Sequence, residues 1–188
     1  MRIGLYGGTF DPVHHGHLIL ARDCVEQLQL DRLVLIPNTI SPHKEARTSA
    51  PGPMRLEMLQ AAVQGQSNLE VDDLELRRGG PSYAIDTVEV YQQANPGADL
   101  FYLVGEDNLA LLHTWRRYEE LKQRVQFVAM RRRGDAAPHS FPTICRHIEI
   151  SATEVRMRVA KGASVRYLVP DGVLEVIERE NLYKEKTY

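Results

Sequence analysis

Strand-like and helix-like stretches alternate along this chain, which predicts a doubly wound α/β domain on a mostly parallel sheet. Three observations carry that prediction. Short β-rich runs recur ahead of stretches with helical spacing. Leu100 to Val104 is apolar at every position, as suits a strand buried on both faces of a parallel sheet. Gly7 and Gly8 fall between the first strand and the first helix, the junction at which open α/β sheets bind ligands.

Met1 to Tyr6 is β-rich, with Arg2 its one charge, and reads as the first strand. Leu18, Ile19, Ala21, Cys24, Val25 and Leu28 recur at helical spacing and predict a helix beginning near His15. Asp31 to Ile36 is a second strand stopped by Pro37-Asn38, completing a βαβ unit. Pro51 to Val63 predicts a helix and Leu69-Glu70-Val71 a short strand. Ser82 is expected to cap a helix that runs to about Asn95-Pro96-Gly97. Leu100 to Val104 is the next strand, ended by Gly105, and Val125 to Met130 another. Arg146 to Ile150 alternates and is expected to be the last strand before a helix start at Ser151. Val173, Leu174, Val176 and Ile177 place a closing helix within Pro170 to Asn181. No fixed-period repeat or low-complexity segment interrupts this order.

The chain has 188 residues, 43% of them hydrophobic, enough for one compact domain, and no linker-like run divides it. The expectation is a single domain over residues 1–188. A formal charge of −2 gives no global basic footprint for nucleic acid. No window approaches the roughly 18 continuous apolar residues that a membrane span needs. The N-terminus does not read as a signal peptide, so the cytoplasm is the expected compartment. Cys24 and Cys145 lie far apart without Cys-x-x-Cys spacing and are expected to be reduced core thiols.

The chain has neither Gly-x-Gly-x-x-Gly nor Gly-x-x-x-x-Gly-Lys-Ser/Thr, the fingerprints of dinucleotide redox sites and P-loops. It has His14-His15-Gly16-His17 instead. Gly7 and Gly8 let backbone N–H groups approach an anion, and a helix start near His15 adds its positive end. An imidazole with a pKa near ~6.5 is driven towards its cation by a neighbouring phosphate, so His14 and His17 can supply donors and charge to a phosphoryl group. Phosphoryl transfer asks mainly for such positioning. A surface or capping role and a three-histidine metal site are the rivals; beyond Asp11 no nearby carboxylates complete a metal site.

A second constellation is Ser151-Ala152-Thr153-Glu154-Val155-Arg156. Ser151 and Glu154 fit a capping box, which explains them without a ligand. The same helix start also offers free N–H groups, two hydroxyls and an arginine to a polyphosphate. Arg131-Arg132-Arg133 reads as a solvated turn and is left outside the expected site.

These residues resemble the nucleotidyltransferase superfamily, and within it the bacterial nicotinate-nucleotide adenylyltransferases. The resemblance runs close to full length: GGTFDPVHHGHL, Ser41-Pro42-His43-Lys44, Ser82 to Thr87, Gly105-Glu106-Asp107 followed by Trp115, and SATEVR. It implies a Rossmann-like fold and transfer of the adenylyl group of ATP to nicotinate mononucleotide, with pyrophosphate released and no covalent enzyme intermediate. His14 and His17 would hold the α-phosphate, with Arg156 completing the catalytic set. Gly7, Gly8, Thr9 and Phe10 would cradle phosphates, while Ser151, Thr153 and Arg156 would take the β- and γ-phosphates. Asp107 would accept from the adenosine ribose. His43 and Lys44 would meet the mononucleotide phosphate, Trp115 would stack on the pyridine ring, and the Tyr83, Ala84, Ile85 and Thr87 segment would read its carboxylate. Magnesium would travel on the ATP phosphates with no dedicated protein cage.

Ala152, Ala84 and Glu106 depart from the family's usual Ser, Thr and small residue. Other readings are an adenylyltransferase acting on nicotinamide mononucleotide or phosphopantetheine, a cytidylyl-donor enzyme, and a nucleotide-binding module without catalysis. Oligomeric state is not legible in the sequence.

Overall fold

The computed structural model describes residues 1–40, 50–132 and 139–184, leaving aside the side chain of Asp107. Six strands form one sheet in the order β3-β2-β1-β4-β5-β6. They are β1 (Arg2–Gly8), β2 (Arg32–Pro37), β3 (Leu69–Val71), β4 (Asp99–Gly105), β5 (Gln126–Arg131) and β6 (Thr143–Cys145). Every pairing is parallel, with Leu5 opposite Val34 on one side and Tyr102 on the other. Strand order reverses between β1 and β4, and the crevice outside their carboxyl ends is where such sheets bind ligands.

The helices are α1 (His15–Gln27), α2 (Gly52–Val63), α3 (Leu74–Arg78), α4 (Ala84–Ala94), α5 (Tyr118–Arg124), α6 (Ala152–Ala160) and α7 (Asp171–Arg179). Alternate residues of each central strand enter opposite cores. Leu33 and Leu35 of β2 and Leu103 of β4 join Leu20, Cys24, Met58, Val155 and Val173 from α1, α2, α6 and α7. Ile3 and Leu5 of β1 with Val34 and Ile36 of β2 join Ile85, Val88 and Leu121 from α4 and α5. Both faces of β1, β2 and β4 are therefore dry, which is why these strands are uncharged beyond their first residues, Arg2, Arg32 and Asp99.

Several boundaries differ from expectation. Gly7 and Gly8 are the last residues of β1 rather than the turn after it, because they pair with Ile36 and Pro37 of β2. Ser82 does not cap α4: Tyr83 is its N-cap, and the Ser82 hydroxyl accepts the Thr39 N–H at 3.0 Å. The last strand is Thr143–Cys145, ahead of the alternating stretch from Arg146 to Ile150. That stretch is irregular yet still follows β5, through Arg146 N–H to the Arg131 carbonyl and Ile148 N–H to the Arg132 carbonyl. Cys24 is buried as expected, but Cys145 is exposed at the sheet edge. α3 and the 3₁₀ turn Glu106–Thr114 carry no long-period pattern and escape a sequence reading.

Candidate active site

β1 delivers its carboxyl end to the switch point, and the chain from Thr9 to His14 then turns into α1. A Cβ on Gly8 would come within 2.8 Å of the Phe10 ring, and one on Gly7 within 2.8 Å of the Tyr102 hydroxyl, so glycine permits both close approaches. Phe10 holds a left-handed backbone (φ 48°) and is buried against Tyr6 and His17, each with ring centroids 5.2 Å away. Its side chain therefore supports His17 from the core, and only its backbone is left for the phosphate contact expected at this position.

His14 is the N-cap of α1, and its backbone N–H donates to Nδ1 of His17 at 3.3 Å. The two rings stack with centroids 3.8 Å apart and planes 27° from parallel. His14 is only 1% exposed, and neither of its ring nitrogens meets a hydrogen-bond partner among the described residues. Burial, reinforced by the positive charge of Arg132 and by His15, pushes its pKa down to about 3. The free protein thus presents a neutral His14 at pH 7. His17 is half-buried at the same helix mouth.

The far end of the chain closes on this turn. Arg156 of α6 donates one nitrogen to the Asp11 carbonyl (2.7 Å) and another to the Thr153 hydroxyl (3.3 Å). The His15 N–H reaches the Leu168 carbonyl at 2.9 Å. Ser151 caps α6 by accepting the Glu154 N–H at 3.1 Å, so its expected capping role is present. Ser151 also lines a cleft with Glu106, Met130, Arg132, Ile148, Glu149 and Ile150, over the ends of β4 and β5.

A second cavity opens over the carboxyl ends of β1, β2 and β4. Gly7, Gly8, Thr9, Tyr83, Ala84 and Trp115 all line it. Trp115 is held edge-on by Tyr102 (5.8 Å) and Phe127 (6.3 Å), with its ring bordering the cavity. Arg116 lies over the Tyr83 ring at 4.7 Å. The N–H groups of Ala84 and Ile85 precede the hydrogen-bond ladder of α4, and Ala84 lines the cavity.

Two expected residues sit elsewhere. Ile85 is fully buried in the core, so only its backbone can take part. Thr87 is also fully buried and donates its hydroxyl to Glu75 at 2.7 Å, so it does not reach the cavity. His43 and Lys44 lie outside the described residues, and Asp107 is placed by its backbone alone, at the start of the 3₁₀ turn after β4.

The sequence reading missed Asn38, Glu75, Asn108 and Arg116, which line the cavity, and Arg132, which lines the cleft. It also missed Arg55. This side chain is 1% exposed and clamps the Thr9 carbonyl at 2.7 Å and the Asn38 carbonyl at 2.8 Å, joining the exits of β1 and β2. The available signal was its helical spacing with the apolar Met58, Leu59 and Ala62. Asp11 completes this support, accepting from the Ala50 N–H (3.1 Å) and the Tyr183 hydroxyl (2.7 Å).

Residues 5–158 match the family model described as cytidylyltransferase-like. A probable nicotinate-nucleotide adenylyltransferase of Exiguobacterium sibiricum is 40% identical over 190 residues, covering 97% of this chain and 99% of the relative. The one from Shouchella clausii is 41% identical over 187 residues, covering 97% and 96%. The chain belongs to the nicotinate-nucleotide adenylyltransferase family. Its fold agrees: the Plasmodium falciparum nicotinic acid mononucleotide adenylyltransferase complexed with NaAD superposes with a TM-score of 0.79, at 18% identity, covering 97% of each chain.

Proposed function

We infer that this protein transfers the adenylyl group of ATP to nicotinate mononucleotide, giving nicotinate adenine dinucleotide and pyrophosphate, a step of NAD biosynthesis. The observation that carries this reading is the stacked His14–His17 pair at the mouth of α1, beside an aromatic-walled cavity that contains Trp115 and the start of α4. A phosphate oxygen of the mononucleotide attacks the α-phosphorus of ATP. The new P–O bond forms as the bond to the bridging oxygen of the β-phosphate breaks, and pyrophosphate leaves with that electron pair.

In this reading His17 donates to an oxygen of the α-phosphate as its charge develops. His14, neutral and buried, has one N–H to give and is drawn towards the cation when a polyanion binds beside it. A donor fixed before the reaction costs no reorganisation during it, and this is where such sites gain most of their rate. Gly7, Gly8 and Thr9 offer backbone to the phosphates, and the backbone of Phe10 does the same. Ser151, Thr153 and Arg156 take the β- and γ-phosphates, with Arg132 beside them, and Asp107 receives the adenosine ribose. In the other cavity Trp115 stacks on the pyridine ring, the Ala84 and Ile85 N–H groups receive its carboxylate, and His43 and Lys44 meet the mononucleotide phosphate.

ATP enters with a divalent ion, for which magnesium is proposed. Among the described residues no group of three or more His, Cys, Asp or Glu could hold a metal. In this reading the ion is carried on the nucleotide phosphates, where magnesium keeps several of its waters. Among the described residues no helix is long and apolar enough to cross a membrane, and a cytoplasmic location is proposed. The test is direct: with ATP, magnesium and nicotinate mononucleotide the protein releases pyrophosphate, and no turnover with any pyridine mononucleotide would refute the proposal.

A further inference from the structure

Glu75 is an acid placed where an acid is costly. It is 3% exposed, borders the cavity that contains Trp115, and has no arginine or lysine among its hydrogen-bond partners in the described residues. Burial raises its proton affinity, while the Thr87 and Ser82 hydroxyls and the charge of Arg78 pull the other way. A buried carboxylate without an ion-pair partner destabilises the fold unless hydrogen bonds offset its lost hydration. Its position therefore asks for a reason beyond packing.

The reason lies in what it joins. Its carboxylate accepts the Thr87 hydroxyl, one turn into α4, at 2.7 Å. The Ser82 hydroxyl bears on the same carboxylate from just ahead of α4, and its oxygen accepts the Thr39 N–H at 3.0 Å. The backbone carbonyl of Glu75 accepts the Thr39 hydroxyl at 2.6 Å. One residue of α3 thus ties the exit of β2 to both sides of the α4 start. Between Ser82 and Thr87 lie Tyr83, Ala84, Ile85 and Asp86, the first turn of α4 and its N-cap. Ser82, Tyr83 and Ala84 line that cavity together with Glu75 itself.

We propose that Glu75 is the positioning residue for the mononucleotide's pyridine carboxylate, fixing the start of α4 through Ser82 and Thr87 so that the Ala84 and Ile85 N–H groups converge on it. This rests on the function inferred above and adds a specificity determinant to it. Preference for the acid over the amide depends on two rigid N–H donors, because a carboxylate only accepts whereas a carboxamide must also place its NH₂. Loosening α4 by even a fraction of an ångström erodes that difference while ATP binding, at the other cavity, is untouched.

Kinetics with both substrates varied test this on Glu75→Ala, Glu75→Gln and Thr87→Val. Glu75→Ala is expected to raise KM for nicotinate mononucleotide about tenfold, the scale of a lost buried hydrogen bond, with KM for ATP and kcat within about twofold. Its preference for nicotinate over nicotinamide mononucleotide narrows by a similar factor. Glu75→Gln, which keeps an acceptor for Thr87, recovers most of the loss. Thr87→Val, which preserves shape and is the milder change, shows the same split if Glu75→Ala fails to fold. A uniform fall in activity with both KM values unchanged, or an unaltered acid-to-amide preference in Thr87→Val and Glu75→Ala alike, overturns the proposal. Absence of wild-type turnover with nicotinate mononucleotide would instead overturn the function on which it rests.

Discussion

His17→Ala is expected to lower kcat about 10²-fold while leaving KM for either substrate within a few-fold, because its contact strengthens as charge builds on the transferred phosphoryl group. Steady-state kinetics check it. Trp115→Ala should do the reverse, raising KM for the mononucleotide more than it lowers kcat, since stacking holds substrate and transition state alike. His14 adds a pH dependence of stability. Its folded pKa of about 3 lies below the unfolded value near ~6.5, so between those values the unfolded chain binds more protons. Stability from keeping His14 neutral is present above pH ~6.5 and is lost as pH falls towards 3. Melting temperatures measured between pH 7 and 4.5 should fall with acid, and His14→Asn should flatten that slope. At this scale the sequence was informative where chemistry is local: His14, His17 and Gly7-Gly8 are contiguous with the turn they build. Thr87 and Phe10 were chosen for a plausible contact and are buried, because the sequence does not say which way a side chain on a helix start or a tight turn faces.

Elements carry the site through residues that hold strand ends in place. Arg55 joins the exits of β1 and β2 from within α2, and Arg55→Met leaves two strand-end carbonyls without their donor. A loss of about 3 kcal/mol in urea unfolding is expected, with a fall in kcat as Thr9 moves. Gly16→Ala separates packing from propensity. Alanine favours a helix by ~1 kcal/mol over glycine, but its Cβ would stand 3.0 Å from the His14 ring. Melting temperature should change little while kcat drops, and a variant equal to wild type in kcat would show that the His14 ring can give way freely. Helix existence was legible from spacing, as α1, α2 and α7 illustrate. Their ends were less so: Ser82 looked like a cap but serves Thr39, and the exit of β5 continues its pairing through Arg146 and Ile148 without a regular strand. Such choices are settled by partners distant in sequence.

Across the whole molecule, the topology explains why motifs at both ends of the chain meet. The order β3-β2-β1-β4-β5-β6 puts β1 at the centre, and α6 returns Arg156 to the Asp11 carbonyl beside it. Tyr183, close to the end of the described chain, closes on the same Asp11. The α/β alternation was enough to infer this class of sheet, and the distance between GGTFDPVHHGHL and SATEVR along the chain was no obstacle to placing both at one edge. Arg55, Glu75 and Asp11 were not legible as a support, because their value comes from carbonyls and hydroxyls that only folding brings near. We propose that the chain acts as one domain, and calorimetry should then show a single cooperative transition that moves to higher temperature when an ATP analogue is added. The most direct test of the central claim is kcat/KM for nicotinate and nicotinamide mononucleotides measured side by side with ATP and magnesium. The account predicts efficient formation of the dinucleotide with a clear preference for nicotinate; a preference for nicotinamide mononucleotide, or turnover with neither, would contradict it.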